Sequence, residues 1–536
     1  MKKRICLFIC IILVLTQTAV AFSANTGDRE EVYQTSLTTA ESKKIDTKYV
    51  NYDFGKRVVK KPSKKRHDSP YRLRGIMSYP KSQKGKLKPI IILHGQHDND
   101  NLRRYDVGFK YLVDYLGQNG YLGISIDINS AYHWANGDNE DRYRTPFIFE
   151  EQMKILKKLN KGMKNKYGIK LKNKIDFNNV MLLGHSTGGT LIFDLAKEQQ
   201  KYGMKVKSMF ALAPSDNFVG MKFNVKTDSI NFLVPEFDGD VVAHDGFGIY
   251  EKIRKSTNQK KNSAVLLRYA NHNYFNTIVK INDAEGIPVD KTKQIKAQTQ
   301  RDFLNKYTVS LAKATLDGNE ENTIFDNNLK NIETIDNLKV FTSISKNGGK
   351  VLVSDSDKPS FMTPKVTRES LIDATTEKHD TADGLVIPVL GGNKTKVERY
   401  TYETEGQGIK FDLKDQDLTM FNEITLRLTI DPSMKQNKKR NSQGLTVVLE
   451  DINGKKAKVT IPPKSNLIDY PDGDMYKIEN SKDEIIEIFD GRTFLKQVRI
   501  PVSMFKDISM ASLKTIGIDF DQTSSGSIAL REIVAF

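Results

Sequence analysis

A chain of 536 residues, 38% hydrophobic and 28% charged, is too long for one ordinary core and too apolar for wholesale disorder. Its formal charge of +17 favours anionic polymers or lipid surfaces as partners. No nucleic-acid module or basic-aromatic platform accompanies that charge, which argues against nucleic-acid binding.

The chain opens MKKR, continues with the apolar ICLFICIILVL and reaches the small residues of TAVAFSA. That order predicts a secretory signal peptide over 1–24, too short in its apolar part for a stable membrane span. Cleavage follows Ala21 or Ala24, with Ala24 preferred. The two cysteines, Cys6 and Cys10, lie inside this segment, so disulfides and thiolate chemistry are excluded from the mature chain. Loss of Lys2, Lys3 and Arg4 leaves +14, and the expectation is a secreted, extracellular monomer held to the cell wall by charge, with no integral membrane span. Residues 25–48 read as an N-terminal extension. The basic run at 56–67, KRVVKKPSKKRH, reads as a solvated loop between two strands.

Over 49–318, strand-length apolar runs alternate with amphipathic helical patterns. The predicted strands are Tyr71–Tyr79, Pro89–Leu93, Tyr121–Asp127, Val180–Leu183, Ser208–Leu212, Ile230–Val234 and Ala264–Tyr269. Between them, Phe149, Met153, Leu156 and Leu159 share one helical face. This alternation predicts an α/β fold: a mostly parallel sheet with helices on both faces. Residues 319–397, rich in Asn, Asp, Lys and Ser, read as linker and a weakly structured β region. From 398 to 536 the period becomes two, as in ITLRLTI, where Ile424, Leu426, Leu428 and Ile430 share one face. That pattern predicts an all-β sandwich or jelly roll.

Within the first pattern, MLLGHSTGG sets Gly-x-Ser-x-Gly between a buried strand and a helix. A turn that tight forces a strained backbone on Ser186 and exposes its Oγ above a helix N-terminus. A serine hydroxyl needs a neighbouring base, and the base needs an acid to orient it. In such an arrangement the acid and then the histidine follow the serine, each after a later strand. Of the eight histidines, five precede Ser186 in the chain, His379 lies beyond the α/β region, and His244 follows the strand expected to carry the acid. His272, in ANHNYFN after the last strand, fits. The acid comes from PEFDGDVV, where Asp238 is preferred and Asp240 stands as the alternative. Oxyanion-stabilising N–H groups are expected from Thr187 and, after Pro89–Leu93, from Gln96 in HGQHDND.

The series NYDFGKRVV, YRLRGIMSYP, ILHGQHDN, GISIDINS, GHSTGG, PEFDGDVV and ANHNYFNT resembles the α/β-hydrolase superfamily. The likeness is to its secreted bacterial esterases of the chlorophyllase-like, dienelactone-hydrolase-like and polyester-hydrolase or cutinase-like kinds. The resemblance implies an α/β-hydrolase fold and ester cleavage through an acyl-enzyme. Its nucleophile, acid and base would be Ser186, Asp238 and His272, with Gln96 and Thr187 as oxyanion hole. His97, Trp134 and His185 would contact substrate, and Tyr132 and Phe147 would share the rim with Trp134. The short stretch from Pro214 to Ile230 leaves no room for a large helical cap, so an open cleft for short-chain or bulky esters is expected. No cofactor or metal is expected; Asp98 and Asp100 read as a polar loop. FNEITLRL, LEDINGKKAKVTI and GSIALREIVAF resemble galactose-binding-like jelly rolls and carbohydrate-binding modules, which would add a polysaccharide partner. Two other readings stand beside the esterase: a peptidase or acyltransferase on the same triad, and a surface-binding protein with a vestigial hydrolase domain.

Overall fold

The structure, a computed structural model, describes residues 30–40, 44–59, 68–82, 84–97, 103–132, 140–216, 221–287, 289–372, 396–479, 485–489 and 493–536. The expected signal peptide, most of the basic run, Asp98, Asp100, Trp134 and His379 lie outside these residues.

Strand outweighs helix, 37% against 21%, and the expected α/β-hydrolase fold of a mostly parallel sheet with helices on both faces gives way to a sheet-rich, mixed architecture. Among the described residues the largest sheet has eleven strands. Its middle runs Lys261–Leu267, Ser229–Pro235, Val206–Leu212, Val180–His185, Pro89–Leu93, Leu122–Ile126 and is parallel. Antiparallel strands flank it on both sides: Ser69–Pro80 and Thr47–Val59 beyond Leu122–Ile126, and Leu338–Lys346 beyond Lys261–Leu267. The error has a physical source. An apolar run reports that a strand is buried on two faces and says nothing about the direction of its neighbours. The second flank is closed by a hairpin at Asp336 and Asn337, both with positive φ (48° and 66°), the geometry that two-residue turns favour.

Burial in the centre is complete. Ile91, Leu93 and Leu182 enter one apolar cluster, whereas Ile90, Ile92, Met181 and Leu183 enter another, as the two-residue period of a strand requires. No helix among the described residues is long and apolar enough to cross a membrane.

The C-terminal region forms two six-stranded sheets around a shared apolar cluster that includes Leu426, Val447, Ile516 and Ile533. Parts of the expected linker belong to folded sheets: Ile332–Ile335 and Leu338–Lys346 extend the eleven-stranded sheet, and Lys350–Val353 and Val366–Ile372 join the C-terminal ones. The N-terminal extension stitches the halves together, since Glu30–Glu31 pairs with Lys456–Ile461 and Thr35–Leu37 pairs with Ile332–Ile335. Two buried ion pairs, Arg254 with Glu532 and Arg427 with Glu251, also cross the junction.

Candidate active site

The strand Val180–His185 runs into the helix Thr187–Lys197 through Ser186, whose φ of 55° and ψ of −131° are costly for a residue with a side chain. Small neighbours make the turn feasible. A Cβ on Gly184 would stand 2.2 Å from the carbonyl oxygen of Gly188, and one on Gly188 would stand 2.5 Å from that of His94. Gly95 presses against the serine itself, where a Cβ would meet Ser186 Cβ at 2.7 Å and Oγ at 3.3 Å. The loop after Pro89–Leu93 therefore passes directly over the hydroxyl.

That loop is built by a histidine the sequence did not single out. His94 is buried; its Nε2 accepts the N–H of Ile128 (3.0 Å), so Nδ1 donates to the Gly95 carbonyl (2.8 Å). Tyr132 donates its hydroxyl to the His94 carbonyl at 3.0 Å and is fully buried, so it supports the loop from below and does not line a rim. Phe147 also stays off the cleft wall, packing against Tyr143. Thr187 is the first residue of its helix, and an N–H in that position has no acceptor within the helix. Gln96, the other expected donor, lines the neighbouring cleft.

The two downstream loops meet behind the turn. His272 is fully buried, and its Nδ1 lies 2.9 Å from Asp238 Oδ2. The other Asp238 oxygen accepts the N–H groups of Asp240 (3.0 Å) and Val241 (2.6 Å). Burial alone would neutralise this carboxyl, but His272 and the Val241 amide outweigh it and hold the group below the usual carboxylate range. Burial likewise opposes a charged imidazole, yet Asp238, with help from Asp240 and Asp283, pushes His272 up to about 9.

Asp240 occupies the opposite side of the ring. Its carboxylate, 57% exposed, stands 3.3 Å from His272 Nε2, the ring nitrogen turned away from Asp238. Nε2 makes no hydrogen bond among the described residues, so the Ser186 hydroxyl is not engaged with it in this state. The geometry thus separates the two aspartates: Asp238 sits behind the imidazole and Asp240 in front.

His185 is buried away from the cleft, contrary to a substrate-contacting role. Its Nε2 lies 3.1 Å from the His272 carbonyl, and the two rings are 4.7 Å apart. Desolvation holds it well below the ordinary imidazole value, so a neutral Nε2–H donates to that carbonyl and ties the serine turn to the histidine loop. Asp283 performs a similar task unannounced by any motif: its carboxylate accepts the N–H groups of Gly239 (2.8 Å), His272 (3.0 Å) and Asn273 (2.9 Å).

Beside Asp240 and Asp283 opens a cleft of about 780 Å³, lined also by Gln96, His97, Arg104, Ile278 and Lys280; Ser186 and His272 stand next to its lining and are not part of it. Its wall offers exposed apolar surface, with Ile278 and Ile281 37% and 74% accessible. His97 packs on Tyr105 at 4.4 Å between ring centres, and burial drives it down to about 3, so it faces the cleft as a neutral group. Among the described residues, no cluster of three or more His, Cys, Asp or Glu could hold a metal ion. The chain matches no known family model and no curated protein.

Proposed function

We propose that the chain is a secreted serine hydrolase that cleaves carboxylic esters through an acyl-enzyme. The observation that carries this reading is the 2.9 Å contact between His272 Nδ1 and Asp238, both buried, beside a serine on a strained strand-to-helix turn. In the proposed mechanism Asp238 fixes the imidazole tautomer, leaving Nε2 free to accept the Ser186 proton as Oγ attacks the ester carbonyl. The N–H groups of Gln96 and Thr187 stabilise the tetrahedral oxyanion. His272 then protonates the leaving alcohol, and a water activated by the same nitrogen hydrolyses the acyl-enzyme. The open cleft and its apolar wall suit short-chain or bulky acyl groups over long buried chains. Hydrolysis of p-nitrophenyl acetate and butyrate by wild type and Ser186→Ala tests the reading. Turnover lost in the variant supports it, and equal inertness of both overturns it.

A second reading, binding to a polysaccharide or cell-wall polymer, is favoured by a groove of about 410 Å³ on the C-terminal region. Phe361, 56% exposed, stands at one end, and Gly408 and Gly517 keep side chains off the floor. The charges along it largely offset one another, with Lys410 3.2 Å from Glu450 and Lys458 3.5 Å from Asp519, which suits a neutral polyol better than an ion. Retention of the full chain on insoluble polysaccharide tests it.

A further inference from the structure

The strands that deliver Asp238 and His272 end in a buried ion pair whose outer anchor comes from the C-terminal region. Glu236, two residues before Asp238, accepts the Nε–H of Arg268 at 2.8 Å and the backbone N–H of Tyr269 at 3.0 Å. Arg268 and Tyr269 lie four and three positions before His272. Both ends of the Glu236–Arg268 pair are buried, at 7% side-chain exposure each. The second face of the guanidinium fork is taken by Asp472, which accepts Arg268 Nη2 at 2.6 Å and the Tyr269 hydroxyl at 2.9 Å. Asp472 stands on a loop, its side chain 41% exposed, four residues after Ile468, which with Leu467 is buried in the C-terminal core.

Two features show what this anchor holds. Tyr269 has a φ of 64°, an uncommon backbone for an aromatic residue that persists only where the surroundings impose it. Arg268 is also clamped between the rings of Tyr269 and Phe341, at 4.9 and 4.7 Å from their centres. The acid loop receives a second touch from the same region: Phe494 packs edge-on against His244 at 5.8 Å, and His244 Nε2 lies 3.0 Å from the Glu236 carbonyl. Positions in a hydrolytic site need holding within a fraction of an ångström, and a charge-assisted fork with two partners restricts rotation better than one.

We propose that Asp472 is a positioning residue for the Asp238–His272 pair, so that the C-terminal region acts as a structural part of the hydrolytic site. The inference rests on the esterase reading for its kinetic consequence and on the Glu236–Arg268–Asp472 contacts alone for its structural one. In the full chain, Asp472→Asn keeps the side-chain shape and removes the charge. The expected result on p-nitrophenyl acetate is a fall in kcat of roughly 10-fold to 100-fold with KM nearly unchanged. Asp472→Glu recovers part of that loss. A parallel titration of the His272 imidazole by NMR should show its midpoint moved by about half a unit in Asp472→Asn, since the Asp238 contact loosens. This second measurement needs no turnover and separates the proposal from the esterase reading: an inert wild type with a moved His272 titration sinks the esterase reading and supports the positioning role. Should Asp472→Asn not fold, Tyr269→Phe, which removes only the hydroxyl on Asp472, carries the same expectation at smaller size. A variant that melts earlier while kcat and the His272 titration stay at wild-type values overturns the proposal.

Discussion

The eleven-stranded sheet and the C-terminal sheets place backbone strain differently. In the first, positive φ falls at turn residues such as Asn173, Asp336 and Asn337 and also at Ser186, Ala213, His244 and Tyr269, each of the last four beyond the carboxyl end of one of four successive parallel strands. In the second, positive φ falls at Lys414, Asp415, Arg440, Asn466 and Asp507, outside the apolar core. Asparagine and aspartate in turns adopt this backbone cheaply, whereas alanine and tyrosine do not. Strain of roughly 1–3 kcal/mol per residue persists only where packing enforces it. The sheet edge that concentrates it is the edge where the buried Asp238–His272 pair meets the serine turn. The comparison teaches that one sheet edge carries positive φ on residues that resist it, beside the buried pair, while the other region keeps it in turns outside its core.

The sharpest way to break this contrast is at the serine. Ser186→Ala is expected to lower kcat roughly 10⁴-fold or more, because the nucleophile, base and acid act as one unit. Next come the two aspartates. Asp238→Asn should cost roughly 10³-fold to 10⁴-fold by spoiling the tautomer of His272, whereas Asp240→Asn, on the exposed side, should cost less than about tenfold. Equal losses at both positions, read as kcat on p-nitrophenyl butyrate, would remove the distinction between acid and front-side neighbour.

A pH profile sharpens the contrast further. The folded His272 stands near 9, above the ordinary imidazole value of 6.5, so the stability its charge contributes is complete below pH 6.5 and is lost as pH rises through about 9. Catalysis needs the neutral ring, so kcat/KM should climb across the same window, with a midpoint approaching 9. Asp240→Asn removes one of the charges that raise the imidazole and should move that midpoint down. The smallest effect belongs to strain: Ser186→Gly should raise stability by about 1 kcal/mol in urea unfolding, since glycine tolerates φ of 55°.

The parts of this molecule that were legible in the sequence are those set by local chemistry. The Gly-x-Ser-x-Gly turn could be read because its glycines answer to contacts of 2.2 to 2.5 Å that no other residue survives. The meeting of Asp238 and His272 could be read because each follows a short apolar run. The direction of the flanking strands could not, since Thr47–Val59 and Ser69–Pro80 carry no mark of their pairing, and the Asp336–Asn337 turn that sets the other flank passed as linker. His185 was misplaced because its position beside the serine suggests the cleft, whereas strand alternation sends it inward to the His272 carbonyl. Asp283, His94 and Asp472 act through backbone amides or through residues more than ten positions away, and no spacing rule reports such partners.

The central claim is that Ser186 is activated by the buried pair behind it. Labelling the purified full chain with a fluorophosphonate and locating the adduct by mass spectrometry tests this most directly. The account predicts one adduct, on Ser186, absent in Ser186→Ala and formed far more slowly in His272→Ala. No adduct on the wild type, or an adduct on another residue with Ser186 untouched, would contradict it.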